Sequence, residues 1–320
     1  MRRSCGRRER TGVWQGGGVT ILPPQPGEPR RPFGPRDSGD AWVVAPDGTR
    51  YWGRFGAAGL LALDAQRGVL LQHRVTWSHF GDTWGLPGGA RHEGESAMDG
   101  ALREAAEEAG VPASKVRPRL MSVFDLGYWS YATLVVDVTE PFEPAIGDPE
   151  SHALEWVPVD EVLDRPLHPG FQASWEHLRA ALGVRPVIVV DAANVVGSVP
   201  DGWWKDRAGA TRRLLDRIET LAAQGVPAEA LELAEQRWFP QWRVVVEGRA
   251  RSVAKGGWAS SVGVVDAEGP GDDAIVAEAA QLVEGGLTVT VVTSDRGLAA
   301  RVTRAGATVR GARWLLDLAG

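Results

Sequence analysis

The sequence holds one cysteine in 320 residues, Cys5, and no histidine after His177. The first scarcity excludes a disulfide framework and a thiolate metal site. The second means that a metal in the later half is held by oxygen, which selects Mg²⁺ or Mn²⁺ over zinc. No apolar run approaches the roughly 18 residues of a membrane span, and the Arg-rich start lacks the apolar core of a secretory signal. A cytoplasmic chain with no membrane partner is expected. A GxxxxGK(S/T) loop is missing, as is a GxGxxG turn after a strand, so NTP-driven and NAD-dependent chemistry have no support.

At this length two domains are expected. In the first 36 residues eight arginines stand against Glu9 and Glu28, giving +6, so the rest of the chain carries −12 of the overall −6. An acidic body argues against sequence-blind nucleic-acid binding, although a local basic patch remains compatible with it. Residues 1–38 are expected to be a disordered Arg/Gly/Pro-rich tail. Strands are expected at 56–64, 68–74, 116–125, 131–138 and 153–157, with helices at 96–109 and 172–182. After a short linker at 183–186, apolar strands at 187–191, 242–247, 262–266 and 287–293 alternate with helices at 207–223, 272–284 and 295–305. That alternation implies a parallel sheet covered on both faces. The domains are therefore set at 39–182 and 187–320.

The stretch GARHEGESAMDGALREAAEEAGV, residues 89–111, places Met98, Leu102, Ala105 and Ala109 on one helical stripe that should pack on a sheet. Glu104, Glu107 and Glu108 fall within an arc of about 100° on another side. An isolated glutamate pair at this spacing is an ordinary solvated face. Three close like charges call for a divalent cation.

The full pattern, Gly89, Glu95, Arg103, Glu104, Glu107, Glu108, Gly110 and Val111, resembles the signature of Nudix hydrolases, as does the preceding WGLPGG. Ala105 departs from the bulkier aliphatic residue usual there. The resemblance implies an α/β/α sandwich with a mixed sheet and Mg²⁺-dependent cleavage of a diphosphate linkage in an NTP or related nucleotide. It implies metal binding by Glu104, Glu107, Glu108 and the Gly89 carbonyl, with Arg103 and Glu95 as a supporting ion pair. The general base is left between Glu108 and Glu150. Substrate contacts are less marked: Trp84, Phe124 and Tyr128 suit either a base-stacking wall or packing, and Arg74 suits either phosphate or a surface strand end.

In the later half Asp191 ends VIVV, Glu247 ends WRVVV, Asp272 and Asp273 open a helix, and Asp295 follows VTVVTS. At the carboxyl edge of a parallel sheet these would converge where open α/β sheets place their sites; singly, each is also ordinary cap or turn chemistry. The order VVDAAN, VVVEGR, GDDAIV, VTSDRGL resembles PIN-like ribonucleases of the NYN branch. That resemblance implies a three-layer α/β/α fold, Mg²⁺ or Mn²⁺ on Asp191, Asp272 and Asp295, and supporting roles for Asn194, Glu247 and Asp273. Arg213, Arg217, Arg249, Arg251 and Lys255, with Trp203, Trp204 and Trp258, suit a single-stranded RNA path or a solvated basic face with core tryptophans. Two function classes follow: a hydrolase fused to a nuclease, or a nucleotide- or RNA-binding regulator in which the second domain does not turn over.

Overall fold

A computed structural model of the chain describes residues 18–23, 38–200, 202–248, 250–251 and 257–320. Most of the expected tail, with Cys5, and the basic residues Arg249 and Lys255 lie outside them. Residues Thr20–Leu22 overturn part of the tail expectation: they form strand β1, which pairs with β2 (Trp42–Val44), itself paired with β3 (Arg50–Trp52).

Strict alternation along the next strands builds two cores from one sheet. Strands β4 (Ala57–Asp64), β5 (Gly68–Arg74), β6 (Trp84–Gly85) and β7 (Gly88–Ala90) precede helix α1 (Ala97–Ala109). Then come β8 (Val116–Asp125), β9 (Ser130–Val138), β10 (Ser151–Val157) and helix α2 (Pro169–Leu182). Leu60, Leu70 and Leu134 face Ala101, Ala105 and Ala109 of α1. Their neighbours Leu61, Leu71 and Val135 face Trp175, Leu178 and Ala181 of α2. The alanine stripe lets α1 lie close on the sheet, and Ala105, the departure from the signature, is fully buried in that contact. The sheet is mixed, since β4 and β9 run parallel while the other pairs in it are antiparallel.

The later half contributes β11 (Pro186–Asp191), α3 (Ala192–Gly197), α4 (Arg207–Gln224), β12 (Val226–Pro227), α5 (Ala228–Leu231), β13 (Arg237–Trp238) and β14 (Gln241–Val246). It continues with β15 (Val262–Asp266), α6 (Gly271–Glu284), β16 (Thr288–Val292), α7 (Arg296–Arg304), β17 (Thr308–Arg310) and α8 (Ala312–Leu318). The expected parallel sheet is present, in the order β15-β14-β11-β16-β17 with every pair parallel. Helices α3, α4 and α8 cover one face and α6 and α7 the other. The strand order reverses between β11 and β16, so a crevice opens there at the carboxyl edge. No helix among the described residues is long and apolar enough to cross a membrane.

One element crosses between the halves and was not anticipated. The finger β12-α5-β13 leaves the parallel sheet and adds to the edge of the first one, Arg237 opposite Met121 and Trp238 opposite Leu120. Trp238 is buried in the α2 core beside Leu120 and Trp175, and its indole N–H donates to the Ala234 carbonyl at 2.7 Å. Buried Arg119 reinforces the junction, donating to the Leu182 and Val184 carbonyls and to Asp137. The finger therefore covers an otherwise open sheet edge and completes the core of the earlier half.

Trp238→Ala is expected to destabilise the protein by about 3–5 kcal/mol and to speed amide hydrogen exchange in the β8 segment, residues 116–125. Unchanged protection of β8 would show that the finger does not hold the first sheet.

Candidate functional site

Helix α1 carries the first site, and its ends are fixed as the sequence expects. Ser96 caps the start, accepting from the Asp99 N–H, and Gly110 closes the end at φ 64°. One turn from that end Glu104 and Glu108 are buried, while Glu107 is exposed. The Gly88 N–H donates to Glu108 Oε2 at 2.9 Å. A Cβ at Gly89 would lie 2.7 Å from Glu104 Oε1, so only glycine leaves that carboxylate in place.

Arg103 is the cationic hub. Its guanidinium donates to Glu95 through Nε at 2.8 Å and a terminal nitrogen at 2.9 Å, to Glu104 at 2.8 Å and to the Ala90 carbonyl at 3.0 Å. Glu107 stands 3.5 Å from it. The Arg103 hydrogen bonds hold the Glu95 carboxyl down at about 2, and Glu95 in turn raises Arg103 above its ordinary value. Glu95 also accepts the His92 N–H at 2.9 Å, pinning the loop before α1.

Glu108 behaves oppositely. Burial, then the charges of Glu104 and Asp148, push its carboxyl well above the usual range, against the Gly88 N–H. A carboxylate in that setting takes either a proton or a cation. Glu108, Asp148 and Glu150 each bring a ligand oxygen within 4.8 Å of the others. An all-oxygen set of this kind fits a hard divalent cation such as Mg²⁺ or Mn²⁺. Asp148 is the residue that sequence reasoning missed. Its signal was the preceding Gly147, where a Cβ would lie 1.8 Å from the Glu107 carbonyl oxygen; glycine alone lets this loop lie on the end of α1.

The substrate residues divide. Arg74 is half-buried and its Nε has no hydrogen-bond partner; its charge helps lower both His79 and His168, so it stands near them. Phe124 and Tyr128 are exposed at the β8–β9 turn, with Tyr128 edge-on to Tyr51 at 6.2 Å. Trp84 is a correction. It is buried in the α2 core, stacked at 4.7 Å on His73, because its β6 register pairs it with His73.

In the later half Asp191, Asn194, Glu247, Asp272 and Asp295 line one cavity of about 170 Å³ at the strand-order reversal. The aspartates of this cavity also serve as caps. Asp191 caps α3 through the Asn194 N–H at 3.0 Å and accepts from Thr293 Oγ1 at 2.9 Å. Asp295 caps α7 through the Leu298 N–H at 2.8 Å. Asn194 accepts the Ser294 N–H rather than touching Asp191 through its side chain. Glu247 accepts the Gly271 N–H at 2.8 Å and so sets the start of α6 beside Asp191. Burial first, then Asp272 and Glu247, raise the Asp191 carboxyl. Asp273 is the second correction: it pairs with Arg301 at 2.5 Å and does not line the cavity, because the next helical position turns it toward α7. Arg251 is tied to Asp266, and Arg207 and Arg212 sit over Trp203 and Trp258, leaving Trp204 exposed.

Comparison with known proteins bears on the earlier half. The family model of the NUDIX domain matches residues 53–179. A candidate 8-oxo-dGTP diphosphatase of Mycobacterium tuberculosis is 46% identical over 166 residues, covering 49% of this chain and 76% of that protein. A nucleoside triphosphate pyrophosphatase/Nudix hydrolase fusion protein of Bifidobacterium longum is 39% identical over 153 residues, covering 45% of this chain and 32% of the fusion. Among solved structures, the Nudix hydrolase RenU of M. smegmatis is 46% identical, covering 45% of this chain and 95% of its own, with a TM-score of 0.42.

His168 provides a pH test. Burial, then the Arg74 and His79 charges, bring its ring down to about 4 from 6.5, and its Nδ1 caps α2 by accepting the Gly170 N–H, which requires the neutral ring. The unfolded chain thus binds the proton more readily. The stability is fully present above about pH 6.5 and is lost as pH falls toward 4. His168→Asn, which keeps a capping acceptor, is expected to flatten the fall in Tm over that window. Parallel Tm profiles for variant and wild type would remove His168 as a source of acid sensitivity.

Proposed function

The chain belongs to the Nudix family and is a pyrophosphohydrolase, and on that premise we propose that it hydrolyses a diphosphate linkage in a nucleoside triphosphate or close relative. The observation that carries this reading is the convergence of Glu104 and Glu108 on Gly88 and Gly89 of β7, with Arg103 paired to Glu104 and approaching Glu107 at 3.5 Å. Glu104, Glu107, Glu108 and the Gly89 carbonyl would hold Mg²⁺ or Mn²⁺, which neutralises phosphate charge and lowers the pKa of an attacking water. Arg103 orients Glu104 through a 2.8 Å ion pair while Glu95 occupies the other side of its guanidinium. The Gly88 N–H fixes one oxygen of Glu108. Glu108, raised by burial, and Glu150, on the facing loop, are the two groups suited to accept the proton of water at phosphorus. Arg74, with an unused donor, suits a substrate phosphate, and exposed Phe124 and Tyr128 suit a base. The name of the M. tuberculosis relative makes 8-oxo-dGTP the first substrate to try.

Glu108→Gln is expected to lower Mg²⁺-dependent release of phosphate or pyrophosphate by about a hundredfold or more, in a screen over NTPs, 8-oxo-dGTP, dinucleoside polyphosphates and nucleotide sugars. Near-normal turnover by this variant would remove the metal-site reading.

A second reading concerns residues 187–320 as a PIN-like domain that acts on or binds RNA. It is favoured by the convergence of Asp191, Glu247, Asp272 and Asp295 on one cavity at the switch point of a parallel sheet. Exposed Trp204 beside Trp203 and Arg207 offers a stacking surface for single-stranded bases. Mn²⁺-dependent cleavage of single-stranded RNA is expected to survive Glu108→Gln and to fall about a hundredfold in Asp191→Asn. RNA binding without cleavage by the wild type would leave this half a binding module, and neither binding nor cleavage would end the reading.

A further inference from the structure

We infer that the groove between α3, α4 and α8 is a nucleotide subsite for single-stranded RNA, with one base on its apolar lining and the adjoining phosphates on Arg213 and Arg217. This deepens the RNA reading of residues 187–320 above and rests on it. The groove has a volume of about 70 Å³ and is lined by Val195 and Val196 of α3, Val199 just past it, Leu214 of α4 and Leu316 of α8. An enclosed apolar cavity that holds a benzene ring measures about 150 Å³. A base therefore enters this groove by part of its surface and leaves the rest to solvent.

Charge distinguishes this groove from an ordinary gap between packed helices. In an otherwise acidic body, α4 holds Arg207, Arg212, Arg213 and Arg217 against Asp216 and Glu219. Arg207 and Arg212 are engaged on the rings of Trp203 and Trp258. Arg213 and Arg217 instead line the groove, both exposed and one helical turn apart. Like charges at that spacing destabilise a helix, and Arg217 makes no ion pair or hydrogen bond among the described residues. Two guanidinium groups beside an apolar surface complement a phosphate next to a base. No other side chain lining the groove can hydrogen-bond a base edge, so the site takes any base by its face.

The position of the groove points to its occupant. Helix α3 has six residues and is about 9 Å long. Its Ala193 and Asn194 line the aspartate cavity, and its Val195 and Val196 line the groove. A strand whose reacting phosphate lies at Asp191 therefore passes a neighbouring nucleotide over α3 into the groove. Trp203 stands against the end of the same helix, where a Cβ at Gly197 would lie 3.8 Å from its ring, and exposed Trp204 is edge-on to it at 6.2 Å. Acidic cavity, apolar groove and stacking tryptophan thus meet around one short helix, which suits a run of nucleotides better than a single small molecule.

The test uses the full-length protein carrying Asp191→Asn, so that RNA stays uncut, with a fluorescent oligouridylate of about 12 nucleotides and anisotropy read over a salt series. Adding Arg213→Gln with Arg217→Gln should weaken binding about tenfold and reduce the slope of log K against log salt by about 1.4, the value for two phosphates of a single strand. Val199→Phe, which fills the groove from a half-buried position, should weaken binding about tenfold with the slope unchanged. Oligoadenylate should lose as much as oligouridylate in both cases. Unaltered affinity and slope in the arginine variant would overturn the inference and leave the RNA reading standing. Weakening by the arginine variant alone would do the same, since it marks a phosphate track without a base site. Absence of RNA binding by wild type and Asp191→Asn alike would overturn the RNA reading itself. Poly-glutamate binding that requires Val199 and both arginines, where RNA binding does not, would give the groove to an acidic protein segment and refute the proposal. Should Val199→Phe lower the Tm, Leu316→Trp carries the same expectation.

Discussion

Repulsion among carboxylates at the end of α1 is the constraint around which the first site is arranged. Two unit charges 4.8 Å apart repel by about 3.5 kcal/mol at an effective dielectric of 20, and Glu108, Asp148 and Glu150 lie within that distance of one another. Arg103 offsets the charge on one side only. It spends a bidentate pair on Glu95, a third bond on Glu104, and approaches Glu107 at 3.5 Å. On the other side Glu108 receives the Gly88 N–H and is raised by its neighbours. The imbalance is local and acidic, in a site whose donors are all oxygen. Such an arrangement fits a hard divalent cation.

The two halves of the chain are not mechanically separate. The finger that fills the edge of the first sheet with Trp238 runs directly through Phe239 and Pro240 into β14, and β14 ends beside Glu247 in the second cavity. On the other side of the same contact, β8 runs from Arg119 at the junction to exposed Phe124. The Arg310–Glu232 ion pair ties β17 back to the finger. A shift of the finger would therefore displace the ends of strands that reach both sites, although two packed arrangements would be needed before this became regulation.

Most elements were legible because their patterns are local. Helix α1 follows from Ser96, an alanine stripe and Gly110, and the strands of both sheets follow from period-two or continuous apolar runs. The glutamates were legible for the same reason, all lying on one helix. What escaped depended on distant partners. Trp238 sits in a short segment without strand length, and only its pairing with Leu120 makes it β. Trp84 suited either base stacking or packing until its register placed it beside His73 in the core. Asp148 is unremarkable in sequence and gains meaning only when Gly147 lets its loop touch α1. Two-residue strands and loop-to-helix contacts carry no periodicity, so residue spacing cannot announce them.

The two acidic sites handle their charge by different means, and the difference has consequences. In the second cavity the carboxylates stand at helix starts: Asp191 before α3, Asp272 in the first turn of α6, Asp295 before α7. A helix start stabilises an anionic side chain by about 0.3–1 kcal/mol, and Thr293 adds a hydroxyl to Asp191. Asp191 and Asp295 are thus held by the fold whether or not a cation is bound. On α1 the glutamates lie toward the helix C-terminus, where the dipole disfavours negative charge, and the local arginine is already shared. A cation should therefore bind more tightly at α1, because there it relieves strain that the fold leaves uncompensated. In the second cavity a cation would compete with existing backbone bonds, and a phosphate entering with it would add the oxygen ligands that the cavity's own carboxylates have partly committed elsewhere.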